Sequence, residues 1–453
     1  MQKSWKSGMQ SMLCLKVMLT CILLVCVLAR GSGAAEPQAS AAAVFPADFF
    51  PILPWDPQHG WTEPFIDRQD GLEGIAECGF TLAGFVQPRD LPLCEKLGLA
   101  AIMAPPPGKE PYFGPWRDLT DEQIDAHVKA MVERAGNSKA VVGYFLSDEP
   151  GTPLFPKLAR AVAAVRKYAP GKLAYINLFP GYATIGAPDT SQLGAASFTE
   201  YLERYVTEVK PQFISYDNYM VQYSDDLRDA QKAAMYYHDL LEVRRVALKY
   251  NLPFWNIVSA SQIVPVAPPP SPADLLFQAW TTLAAGGRGV SWYTYYGSTT
   301  TAPGYAYAAV THSGERTPTW GYLQTVNRQL RQIGPLMNRL QSTGVYFTSP
   351  PPVAGLPLLP GKVVKAVESR SSRQAASDSA MPVMVGEFTG PTGAEYVVVV
   401  NLSLEKTANL VLRTHKPYAR KEVISAQDGR PLPLDDKKGL WLPAGQGALI
   451  QLK

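Results

Sequence analysis

The chain predicts an α/β fold, a (β/α)8 barrel followed by a small all-β sandwich. Three observations predict it. Strand-like apolar runs alternate eight times with helical segments; the fourth run ends abruptly in two adjacent carboxylates, Asp148 and Glu149; and from about Gly344 the pattern changes to short alternating strands.

The eight runs are Phe49 to Trp55, Phe80 to Val86, Leu99 to Ala104, Val141 to Leu146, Leu173 to Leu178, Phe213 to Tyr219, Pro253 to Val258 and Gly289 to Tyr295. Continuous apolar runs of this length suit strands buried on both faces, which is the condition of a parallel sheet covered by helices. The segments between them supply those helices. Leu154, Leu158, Val162 and Val165 share a face after the fourth run; Leu323, Val326, Leu330, Ile333, Met337 and Leu340 do so after the eighth. An open doubly wound sheet gives no reason for the count to stop at eight, and no Gly-rich phosphate fingerprint follows the first run.

Residues 1–35 read as an export signal. Lys3, Lys6 and Lys16 precede the apolar run Val17 to Ala29, and Ser32-Gly-Ala34 offers small residues for cleavage. An uncleaved anchor is the alternative, although the run is short for a span of about 20 residues. Neither Cys21 nor Cys26 sits in a lipoprotein box. Residues 36–343 then form the barrel and 344–453 the β-domain. Its strands are expected at Gly344 to Thr348, Val363 to Val367, Val383 to Phe388, Tyr396 to Asn401, Ala408 to Arg413 and Ala448 to Leu452, with polar Ser369 to Ser379 as a hairpin loop.

A net charge of +3 with 18% charged residues and no basic run leaves no footprint for nucleic acid, or for a membrane beyond the export signal. Of the five cysteines, Cys14, Cys21 and Cys26 lie in the signal. An oxidising compartment permits a disulfide between Cys78 and Cys94, and two buried thiols are the alternative. No zinc spacing is present, no metal site is expected and no cofactor is implied.

In a (β/α)8 barrel the chemistry sits where strands lead into βα loops. Those ends read Trp55-Asp56, Ser147-Asp148-Glu149-Pro150, Ile176-Asn177-Leu178, Tyr216-Asp217-Asn218-Tyr219, Trp255-Asn256 and Trp292-Tyr293-Thr294-Tyr295. Two proline-rich loops, Ala104 to Pro107 and Ala267 to Pro272, would stiffen the rim. Glycosidic cleavage needs one carboxyl to protonate the leaving oxygen and another to stabilise or bond to the sugar. Glu149 is the candidate acid, its protonated form favoured by burial beside Asp148. Asp217 is the candidate partner: with Phe213, Ser215 and Tyr219 it shares one strand face, and because strands four and six are not neighbours a gap for a sugar ring or water is expected. Asp148 completes the candidate catalytic set, with an orienting role favoured over direct catalysis. Trp55, Trp255, Trp292, Tyr219, Tyr293 and Tyr295 would stack on sugar rings, with Asp56, Asn177 and Asn256 also in the binding set. Arg288, which precedes a strand, belongs to the opposite, stabilising rim.

The segment Gly143-Tyr-Phe-Leu-Ser-Asp148-Glu149-Pro resembles the Asn-Glu-Pro or Asp-Glu-Pro element ending strand four of clan A glycoside hydrolases, notably the β-galactosidase-like (family 42-like) enzymes. Leu283 to Trp292 with Tyr295 resembles their last strand, and Trp320-Gly-Tyr to Gly334-Pro-Leu their terminal helix. The resemblance implies a secreted, sugar-cleaving barrel with an appended β-domain, a carbohydrate substrate, and Glu149 as acid/base.

One departure matters: such enzymes carry a nucleophilic Glu at the end of strand seven, where this chain has Ile257-Val-Ser-Ala-Ser261. Asp217 replaces it, the substrate supplies a nucleophile, or the barrel binds sugar without cutting it; the first reading is favoured. The Tyr216-Asp217 pair is also similar to chitinase-like barrels, but the aspartate-rich pattern before their strand-four Glu is missing. The expected function is a glycoside hydrolase, and the rival is a non-catalytic carbohydrate-binding or cell-surface barrel.

Overall fold

The computed structural model describes residues 45–55, 71–105, 115–187, 189–219, 233–262, 268–297, 306–371 and 381–453. Residues 1–35, read above as an export signal, Asp56, Pro106 and Pro107 of the first proline-rich loop and Ala267 of the second lie outside the described residues. No helix among the described residues is long and apolar enough to cross a membrane.

Eight parallel strands form the first sheet: β1 (Ile52–Pro54), β2 (Leu82–Val86), β3 (Ala100–Met103), β4 (Val141–Asp148), β5 (Leu173–Leu178), β6 (Ile214–Asp217), β7 (Phe254–Ser259) and β8 (Val290–Tyr293). Their order, β1-β8-β7-β6-β5-β4-β3-β2, curls the sheet into a nearly closed barrel. The seam between β1 and β2 is bridged at Thr81, whose N donates to the Ile52 carbonyl while its hydroxyl accepts from Ile52 N and donates to the Phe50 carbonyl.

Helices α1 (Leu72–Glu77), α2 (Leu91–Leu97), α3 (Asp121–Ala135), α4 (Phe155–Tyr168), α5 (Phe198–Arg204), α6 (Ala233–Lys249), α7 (Pro272–Ala284) and α8 (Pro318–Met337) follow the strands. Local sequence fixes their ends. Thr120 caps α3 and Ser271 caps α7, each in a reciprocal capping box, and Pro272 and Pro318 begin α7 and α8, where a missing N–H costs nothing. The apolar stripes on α4 and α8 are buried against the sheet as the 3.6-residue period requires.

Two apolar layers result. Between sheet and helices lies a continuous aliphatic and aromatic shell. The lumen holds Leu53, Trp55, Phe85, Ile102, Phe145, Tyr175, Phe213, Trp255 and Ile257, so the barrel is filled by side chains up to the carboxylates. Ring pairs such as Phe213–Trp255 at 4.6 Å and Trp55–Phe85 at 4.8 Å order that filling; each contributes about 0.5–1.5 kcal/mol beyond burial.

Strand limits differ from expectation at one consequential place. The seventh run continues to Ser259, so Trp255 lies near the entry of its strand and Ser259–Ser261 occupy its exit.

The β-domain comprises β9 (Gln341–Phe347), β10 (Val364–Ser371), β11 (Val383–Thr389), β12 (Glu395–Asn401), β13 (Ala408–Thr414), β14 (Lys421–Ile424), β15 (Pro431–Pro433), β16 (Leu440–Leu442) and β17 (Gly447–Leu452). A six-stranded sheet, β15-β14-β17-β12-β11-β9, faces a three-stranded one, β10-β13-β16, over a Val- and Leu-rich core. Strands β14 to β16 are additions to the expected set. Of the expected hairpin loop Ser369 to Ser379, Ser369 to Ser371 belong to β10, and the remainder lies outside the described residues. The other face of the larger sheet lies on α7. Gly386 and Gly447 permit that approach: a Cβ at 386 would meet the Ala284 carbonyl oxygen at 2.1 Å, and one at 447 the Trp280 ring at 2.6 Å.

Cys78 and Cys94 are buried free thiols. Burial pushes the Cys94 thiol up to about 12, and Cys78 donates to the Trp320 carbonyl.

Candidate active site

Strand β4 delivers the acids because its ladder with β5 extends to Asp148, which pairs with Asn177. The next residue, Glu149, has φ of 44°, in the left-handed region that side-chain-bearing residues disfavour by about 1–3 kcal/mol. Its N–H is fixed to the Asn177 carbonyl at 2.9 Å. Tyr201 holds the following turn by donating to the Pro150 carbonyl at 2.7 Å.

The expected gap between the two candidate acids is absent. Glu149 and Asp217 are within hydrogen-bonding reach, carboxyl to carboxyl, and Asp148 is close enough to feel the Glu149 charge and to act on Asp217. All three pKa values are raised, first by burial. The Asp217 charge adds to the rise at Glu149, the Glu149 charge to that at Asp148, and the Asp148 charge to that at Asp217. Two buried carboxylates in contact cannot both ionise at low cost, so the pair shares a proton.

Donors are aimed at this cluster from below. Tyr175 Oη reaches Ser215 Oγ at 2.9 Å, Ser215 Oγ donates to Asn177 Oδ1 at 3.3 Å, and Asn177 Nδ2 donates to Asp148 Oδ1 at 3.0 Å. The Tyr219 hydroxyl stands near Asp217 and favours the ionised form of that acid. Asn177 thus spends its amide on orienting Asp148.

The six aromatic residues expected at the mouth divide into three groups. Tyr219 and Tyr293 lie beside the acids, their rings stacked at 5.1 Å. Trp55 and Trp255 are in the lumen filling, 4% and 1% exposed. Trp292 and Tyr295 belong to the layer outside the barrel, where Trp292 Nε1 donates to Asn327 on α8 and Tyr295 accepts from Trp320 Nε1. Asn256 also faces outward, donating to Thr282 on α7. Alternation along the strand decides this: neighbours in sequence point to opposite faces.

At the exit of β7, where the resembled enzymes carry a Glu, Ser259 N donates to Gln278 Oε1, Gln278 Nε2 to the Ser259 carbonyl, and Ser259 Oγ to the Ser261 carbonyl. These groups hold one another, and no carboxylate stands among them.

Asp239, on α6, was not anticipated. It is 3% exposed and accepts from Gly181 N and Asn218 Nδ2, both at 2.8 Å, tying the turn after β5 to the one after β6. A Cβ at Gly181 would lie 2.1 Å from its Oδ1. The available signal was an acid within the otherwise apolar stripe of Tyr236, Leu240 and Val243.

A filled eight-stranded barrel with acids clustered at the carboxyl ends of its strands is the arrangement that the resemblance to clan A glycoside hydrolases implied. Residues 188–333 match the family model of glycoside hydrolase family 42, described as beta-galactosidase, in agreement with the resemblance read from the sequence. No curated protein sequence matches the chain. Among solved structures, a glycoside hydrolase family 5 protein from Bacteroides vulgatus ATCC 8482 superposes with a TM-score of 0.50 at 11% identity, covering 89% of each chain. A family 39 glycoside hydrolase from Bacteroides cellulosilyticus WH2 gives 0.49 at 14%, covering 91% of this chain and 82% of that one. The β-galactosidase from Marinomonas ef1 gives 0.47 at 12%, covering 65% of this chain and 62% of that chain. The family model and these neighbours are glycoside hydrolases.

Proposed function

We propose that the protein is an exported glycoside hydrolase that cleaves O-glycosidic bonds of an oligo- or polysaccharide of plant, algal or host origin. Glu149 protonates the leaving oxygen, and Asp217 is the nucleophile or base. Asp148, held by Asn177, orients the pair. The observation that carries the reading is the contact between Glu149 and Asp217 at one mouth of the barrel. Sharing a proton leaves one group an acid and the other an anion, the complementary states that glycoside cleavage needs. An entering glycosidic oxygen would part them, since working pairs stand about 5–9.5 Å apart. Tyr219 and Tyr293 offer the ring faces for a sugar.

Export is supported by the basic start, the apolar run Val17 to Ala29 and the small residues Ser32-Gly-Ala34. Residues 36–343 act as the catalytic barrel and 344–453 as a support over its helices, consistent with the packing of Gly386 and Gly447 on α7.

The test is Glu149→Gln on a substrate cleaved by the wild type, found by screening aryl glycosides. Turnover should fall by about 10²–10⁴-fold, with folding and sugar binding retained; unchanged turnover would remove the assignment. The carboxylate-free exit of β7 favours one rival, a barrel that binds saccharide without cutting it. Binding by folded wild type with no product over a broad panel would select that rival.

A further inference from the structure

A cavity of about 570 Å³ opens at the opposite rim of the barrel from the carboxylates, between the strand entries and the first strand of the β-domain. Three arginines line it: Arg244 from α6, Arg288 from the turn before β8, and Arg339, two residues beyond α8. No Asp or Glu is among the described residues that line it.

The two inner arginines carry charge without an acid partner among the described residues. Arg244 donates through Nε and Nη2 to Ser342 Oγ, at 3.3 and 3.0 Å. Arg288 donates through Nη2 to the Leu340 carbonyl, and its Nη1 is buried with no hydrogen-bond partner. Burial pushes the Arg288 guanidinium down to about 10, and it lowers that of Arg244 as well. Two like charges placed in one cavity against neutral oxygens are unfavourable unless an anion joins them.

The rest of the lining suits more than a bare ion. Phe45 and Phe49 stack at 4.7 Å, and Phe45 reaches Trp255 at 6.0 Å, so flat apolar faces lie beside the cationic groups. Asn251 and Gln341 add amides at the rim. The volume falls in the range of about 300–1,000 Å³ usual for small-molecule sites.

We propose that this cavity is a second binding site, separate from the catalytic acids, which takes a saccharide bearing a carboxylate or sulfate. Arg288 and Arg244 bind the anionic group, and the Phe45–Phe49 face receives the ring. The site would hold an acidic portion of a glycan away from the mouth where cleavage takes place.

Calorimetric titration of the full protein carrying Glu149→Gln, so that no turnover intervenes, tests this with glucuronate, inorganic sulfate and neutral glucose. Glucuronate should bind tightest, sulfate more weakly and glucose not measurably. Arg288→Gln and, independently, Arg244→Gln should each weaken glucuronate by about tenfold or more, the worth of a hydrogen bond to a charged group; Arg288→Lys should recover part of the loss. Absence of glucuronate binding, or binding unchanged in folded Arg288→Gln and Arg244→Gln proteins, would overturn the proposal. Sulfate binding as tightly as glucuronate would overturn its saccharide part. Because hydrolysis is not read, failure here is distinct from failure of the catalytic assignment.

Discussion

Asn218 Nδ2 donates to Asp239 Oδ2 at 2.8 Å, which fixes the residue after Asp217 to helix α6 from behind the sheet. The same oxygen accepts from Gly181 N, so one carboxylate sets the exits of two strands at once. Asp239→Ala would remove the acceptor of the buried Gly181 N–H and the shorter of the Asn218 Nδ2 bonds, leaving the 3.4 Å bond to the Met235 carbonyl, at a total of about 1–3 kcal/mol. Urea denaturation should show that loss. The variant should also turn over more slowly than Asp239→Asn, which keeps one acceptor oxygen at the junction. Equal stability of Asp239→Ala and wild type would refute the role.

Stability should fall as pH rises through the neutral range. Burial raises the folded-state pKa of Asp148, Glu149, Asp217 and Asp239, the last to about 7. An acid with a raised folded pKa keeps its proton in the native state after the unfolded chain has released it, at about pH 4. The unfolded state therefore binds fewer protons, and stability declines from about pH 4 up to the folded values. Surface acids held below their ordinary range, Glu203 at about 2 among them, act the opposite way only below about pH 4.5. Urea midpoints measured between pH 5 and 8 should decline in the wild type and decline less in Glu149→Gln and Asp239→Asn. Identical slopes in all three proteins would contradict the shared-proton description.

Gly386→Ala tests the seat of the β-domain. The added Cβ would stand 2.1 Å from the Ala284 carbonyl oxygen and 2.8 Å from its carbon, both backbone atoms, with the Phe388 ring at 2.9 Å. A cost of about 1–3 kcal/mol is expected, visible as a lower melting temperature. A melting temperature equal to that of the wild type would show that the sheet is free to lift from α7.

Much of the fold was legible because its elements are locally encoded. The eight apolar runs each contain the core of a strand, and the periodic stripes on α4 and α8 face the sheet as their spacing requires. Less of the site was legible. Trp255 and Asn256 were read as a strand exit, but strand limits depend on pairing, and β8 supports β7 to Ser259. Trp292 and Tyr295 illustrate the same limit: an aromatic residue near a strand end serves lumen or shell according to which face it takes, and that depends on register. Asp239 escaped notice because its partners, Gly181 and Asn218, are 58 and 21 residues away.

By itself, then, the sequence determined the alternating architecture, the appended β-domain and the acids at the end of β4, since hydrophobic periodicity acts over a few residues and survives without tertiary context. The tertiary structure alone decided that Glu149 meets Asp217 across the lumen, that Tyr219 and Tyr293 remain at the mouth while the other rings pack elsewhere, and that Arg244 and Arg288 share a cavity at the far rim. Each of those is a contact between segments distant in the chain. Closure of the barrel sets it, and no local pattern records it.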